Sequence, residues 1–78
     1  MPQRGYAAVY DGHIFVDTVS QHERTAMVNW LVVHAGFAVP NGMGDFAIRE
    51  QFARLAGPMK VSVKPVRIEM VAETVVPA

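Results

Sequence analysis

Apolar, β-branched and aromatic residues crowd into two short runs, residues 6–10 and 13–19, with Asp11-Gly12 between them. Such runs read as strands, and a two-residue Asp-Gly loop predicts a type I′ hairpin, because both turn positions need positive φ. A loop of that length sets the register: Tyr10 opposite His13, Val9 opposite Ile14, Ala8 opposite Phe15 and Ala7 opposite Val16. Side chains alternate between the faces of a strand. Ala7, Val9, Ile14 and Val16 therefore share a wholly apolar face, the expected core face. Tyr6, Ala8, Tyr10, His13, Phe15 and Asp17 share the other.

The spacing of apolar residues then becomes helical over residues 21–34. Met27, Trp30, Leu31 and His34 fall on one stripe, and Val28, Val32 and Ala35 on an adjoining one, so this helix is expected to be contacted from two sides. Ser20 is the expected N-cap, with Glu23 reaching back to its N–H in a capping box. Gly36 suits the left-handed position just beyond the end. Residues 37–44, with Pro40 and Asn41-Gly42-Met43-Gly44, read as a loop. Asp45 is placed to cap a second helix over residues 46–56, closed by Gly57-Pro58, with Ile48, Phe52 and Leu55 as its apolar stripe. Arg49, Glu50 and Arg54 fall off that stripe and should face solvent, Glu50 and Arg54 at the spacing of a helical ion pair.

Residues 59–72 read as a long last strand with a change of parity. Val61 and Val63 share one face, whereas Val66, Ile68 and Met70 share the other, and Lys64-Pro65 lies at the change. A β-bulge there would account for it, with Pro65 where no ladder donor is needed. Residues 1–5 and 73–78 are expected to fray. The order ββααβ predicts one small α+β domain of two layers, a three-stranded antiparallel sheet with two helices on one face. Val9, Ile14, Val16, Met27, Leu31, Ile48, Phe52, Leu55 and Val66 are the expected core, with Trp30 largely buried.

Composition narrows the function classes. A chain of 78 residues buries only roughly 60–65% of its unfolded surface. Here 51% of residues are hydrophobic and 18% charged, a balance that favours a core plus an apolar face for a partner or a second copy. Seven basic and seven acidic residues give no net charge, which makes nucleic acid a poor default partner. Without cysteine there is no disulfide, Cys–zinc site or thiol nucleophile. Residues 1–5 lack the apolar segment of a secretory leader, and no run approaches the ~20 apolar residues of a membrane span. A soluble, cytoplasmic protein is the expectation.

Candidate chemistry is sparse. His13, His22 and His34 lack the i, i+4 spacing of a helical metal pair, so no metal or other cofactor is expected. Ser20, His22 and Asp17 are the residue types of a hydrolytic triad, but an N-cap serine would commit its oxygen to the backbone, and no nucleophile elbow surrounds it. Residues 41–45 open a helix as phosphate-binding loops do, yet lack the third glycine of a dinucleotide loop and the lysine of a P-loop, and Asp45 would repel the anion. Asn29, inside an apolar helix, either bonds a neighbouring loop or fixes register at a helix interface. The aromatic hairpin face is the strongest candidate, with Tyr6, Tyr10, His13 and Phe15 as partner-binding residues. Stacking on single-stranded nucleic acid is its alternative use, normally accompanied by a basic field.

Residues 12–20, Gly12-His13-Ile14-Phe15-Val16-Asp17-Thr18-Val19-Ser20, and residues 24–32, Arg24-Thr25-Ala26-Met27-Val28-Asn29-Trp30-Leu31-Val32, resemble small uncharacterised prophage and mobile-element proteins of proteobacteria. The resemblance is confined to residues 12–32 and carries no catalytic signature. It implies an accessory or inhibitor protein that acts by binding a macromolecule. The expected function is therefore a non-enzymatic protein-interaction module, a homodimer through the uncovered face or edge of its sheet.

Overall fold

The computed structural model describes residues 3–69 and 74–77. The protein is α+β, with strands β1 (Gln3–Tyr10), β2 (His13–Ile14), β3 (Ser62–Glu69) and β4 (Thr74–Pro77) and helices α1 (Glu23–Val33) and α2 (Asp45–Ala56). A 3-10 turn, Val16–Thr18, follows β2. The sheet is antiparallel throughout, in the order β2-β1-β3-β4. The three strands expected are thus four. Residues 3–5 belong to β1 and residues 74–77 to β4, where fraying was expected, because both segments find ladder partners on β3. The expected strand positions 70–72 lie outside the described residues.

The hairpin forms as its turn chemistry dictates. Asp11 and Gly12 adopt φ of 47° and 78°, and Tyr10 pairs with His13 and Val9 with Ile14. The ladder then stops. Phe15 still donates its N–H to the Ala8 carbonyl at 3.0 Å, but the chain turns into the 3-10 segment, so Ala7 and Val16 never pair and Val16 is 67% exposed.

The expected core face is inverted. Helix α1 packs over β1 and β3, and α2 packs on α1. The core joins Ala8 and Val61 to Met27, Trp30, Leu31, Ile48, Phe52 and Ala56, with Phe15, Val63 and Leu55 packed against it. The helices therefore cover the face that carries Tyr6, Ala8 and Tyr10. Val9 and Ile14, on the opposite face, are half-buried. Strand β3 decides the matter, because its register places Val63 opposite Ala8. Trp30 is buried and meets Phe52 edge to face, ring centroids 5.4 Å apart.

No bulge interrupts β3 between Ser62 and Ile68. Pro65 stands opposite Tyr6, which gives its N–H and C=O to Ser20 on the other side, at 2.7 and 2.9 Å. The Tyr6–Pro65 rung therefore asks for no donor, and the proline fits an unbroken strand. The parity change arises because β3 is apolar on both faces. Val63 faces the helices, while Val66 is buried on the opposite side, where the sheet curls. The curl brings Ile14 of β2 and Pro77 of β4, from opposite edges, to one cavity.

Both helix starts also differ from expectation. Ser20 is held in an extended bridge with Tyr6, so His22 takes the N-cap of α1 without a side-chain bond. The Ser20 hydroxyl accepts the N–H of His22 at 3.3 Å, and the Glu23 carboxylate turns to Arg49 on α2, not back to Ser20. That hydrogen bond raises the already high Arg49 pKa further. Gly44 is the N-cap of α2, and Asp45, its first residue, binds Arg24 Nε at 2.8 Å. Arg24 also donates to the Met43 carbonyl at 3.1 Å. Interhelix ion pairs thus replace the local caps. Arg54 bonds Gln51 and not Glu50. At the end of α1, Gly36 is left-handed at φ 65°, and Phe37 donates to the Leu31 carbonyl at 2.8 Å.

Candidate protein-interaction surface

Phe15 is the centre of the candidate surface. Its backbone is fixed by the bond to Ala8, and its half-buried ring rests on the core. The His13 ring meets it edge to face at 5.3 Å, and the His34 ring lies tilted at 4.7 Å. His34, at the C-terminal end of α1, is anchored by a contact of 2.8 Å between its Nε2 and Asp17 Oδ1 in the 3-10 turn. One aromatic ring therefore ties together the hairpin, the 3-10 turn and the end of α1.

The turn from α2 to β3 forms the opposite wall. Val61 and Met59 donate their N–H groups to the Ala56 carbonyl, each at 3.1 Å, and Lys60 is left-handed at φ 58°. Tyr10, Phe15, Pro58, Met59, Lys60 and Val61 line an open cavity of about 460 Å³. Tyr10 is 48% exposed and Met59 58%. Large, exposed, apolar side chains around a half-buried aromatic resemble the centre of a protein interface more than a solvated rim.

Three of the four expected partner-binding residues, Tyr10, His13 and Phe15, meet here. They do so at an edge of the helix-covered face, not on an uncovered one. Tyr6 does not join them. It shares their face but stands half-buried between Ser20 and Pro65. Sequence reasoning missed Asp17, His34, Met59 and Lys60 as members. His34 lies on the helix stripe that points toward the sheet, which was the one available signal.

Other candidates resolve into structural roles. Asp17 engages His34, and the Ser20 hydroxyl receives a backbone N–H, so Ser20, His22 and Asp17 form no relay. Asn29 Nδ2 donates to the Thr18 carbonyl at 3.3 Å, the loop contact that was one of its two expected roles. Among the described residues, no three His, Asp or Glu side chains come together as a metal cluster, and no helix is long and apolar enough to cross a membrane. On the face away from the helices, Val9, Ile14, Lys64, Val66 and Pro77 line a second cavity of about 300 Å³. The chain matches no protein-family model, no curated protein and no solved structure.

Proposed function

We propose that the protein is a small, non-catalytic interaction module of the cytoplasm that pairs with a second copy of itself through the surface around Phe15. The observation that carries this reading is the exposure of Tyr10 and Met59 on either side of a half-buried aromatic, in a chain with no net charge to hold it apart from its neighbours. A two-fold arrangement would let one such patch serve both subunits. Pairing through the sheet edges is less favoured, since β2 has two residues and β4 ends at Pro77, which lacks an N–H. A phage-type accessory role, implied by the sequence resemblance, fits a protein that acts by binding.

Sedimentation velocity at micromolar concentration tests this reading. A dimer that Tyr10→Glu and Met59→Glu each convert to a folded monomer supports it. A wild-type monomer overturns it, and a salt-dependent gel shift with single-stranded RNA would then move the assignment to nucleic-acid binding.

A further inference from the structure

We infer that the cavity on the face away from the helices binds a small apolar carboxylate. Its walls come from all four strands. Val9 pairs with Ile14 across β1 and β2, and Val66 with Pro77 across β3 and β4. Lys64 stands two residues before Val66, and so on the same side of β3. Because the sheet curls, Ile14 and Pro77, from its opposite edges, close on one concave space of about 300 Å³. Small-molecule sites span about 300–1,000 Å³, so the space suits a short ligand. Val9 and Ile14 are half-buried and Val66 is buried, so the fold already fixes these walls and the ligand need not order them.

The lining selects the ligand class. Val9, Ile14, Pro65, Val66 and Pro77 offer hydrocarbon, and Lys64 is the one lining side chain that can hydrogen-bond. A sugar, nucleoside or amino acid would leave polar groups unpaired against such walls, and a dianion would bring a second charge with nothing to meet it. One ammonium matches one negative charge. Lys64 is exposed, and its ammonium has no carboxylate partner among the described residues. Lysine lays its methylene stem along apolar surface and keeps its charge at the water boundary, which sets the carboxylate at the mouth and the ligand's chain inside. The site is on the other face of the sheet from Phe15 and stands independently of the proposed pairing surface.

Methyl resonances of the ¹³C-labelled protein, followed during titration with sodium octanoate below its micellar concentration, test the site. Saturable shifts at Val9, Ile14 and Val66 are expected, with Ile48 in the helix-covered core unmoved. Octan-1-ol has the chain without the charge and should bind at least about tenfold more weakly. Sodium acetate has the charge without the chain and should not saturate. Lys64→Met keeps the stem and removes the ammonium. It should weaken octanoate at least about tenfold and leave octanol unchanged, while the circular dichroism stays native. Wild-type octanoate affinity in folded Lys64→Met, or equal affinities for octanoate and octanol, overturns carboxylate recognition. No saturable shift at Ile14 and Val66 overturns the site itself, whatever sedimentation shows of self-association.

Discussion

Thr18 Oγ1 accepts the backbone N–H of Ala8 at 2.9 Å, so a side chain supplies the rung that β2 is too short to provide. The same hydroxyl donates to the Phe15 carbonyl at 2.6 Å, and Thr18 is fully buried. Valine matches threonine in shape but leaves the Ala8 N–H without its acceptor. Thr18→Val should therefore cost about 1–3 kcal/mol in urea unfolding, and Thr18→Ser clearly less. A valine variant as stable as the wild type would show that Ala8 finds another acceptor.

Gly5 lies where the chain after the 3-10 turn crosses closest to β1. A Cβ at this position would stand 2.7 Å from the Ser20 carbonyl oxygen, which is itself bonded to the Tyr6 N–H. Neither backbone can retreat without breaking that bridge. Gly5→Ala is expected to destabilise by about 1–3 kcal/mol, read as a lower urea midpoint at unchanged slope.

Local chemistry made the hairpin and both helix bodies legible in the sequence. Asp11-Gly12 determines its turn by itself, and Trp30, Leu31, Ile48 and Phe52 announce their burial by spacing. What escaped depends on residues distant in the chain. The buried face was misjudged because Ala7, Val9 and Ile14 look more apolar than Ala8 and Phe15, whereas the helices follow Val61, just before β3, and Val63 on it. Ser20 and Asp45 carry capping signatures, but one is taken by Tyr6 and the other by Arg24. Of the interaction surface, the hairpin residues could be named in advance. Met59 could not, and His34 showed only its place on the sheet-facing stripe of its helix, since tertiary folding brings both to Phe15.

Lys60 adopts a left-handed conformation that costs a residue with a Cβ roughly 1–2 kcal/mol. Glycine removes that cost and returns part of the gain through a more flexible unfolded chain. Lys60→Gly should raise stability by up to about 1 kcal/mol, seen as a higher Tm. A lower Tm would mean that the lysine stem packs on the cavity wall it lines.

Phe52 joins α2 to the core through its contact with Trp30. Truncation to alanine leaves a cavity between the helices and should cost about 3–5 kcal/mol, a large share of the stability of a chain this small. Because the protein has one tryptophan, its emission reports the event directly, moving to longer wavelength as water reaches Trp30. Unshifted emission in a folded Phe52→Ala variant would show that the helices close over the gap.

Tyr10 and Phe15 line the same cavity but differ in what their removal should do. Tyr10 is 48% exposed, so Tyr10→Ala should change stability by no more than about 0.5 kcal/mol. Phe15 packs against the core and carries both histidine rings, so Phe15→Ala should lower stability by about 1–3 kcal/mol. The two variants thereby separate folding from pairing. In the proposed dimer, Tyr10→Ala weakens self-association at unchanged monomer stability, measured by sedimentation and urea unfolding on the same samples. If both variants lost stability equally while neither altered the sedimentation coefficient, the aromatic cluster would be an extension of the core and the pairing surface would have to lie elsewhere.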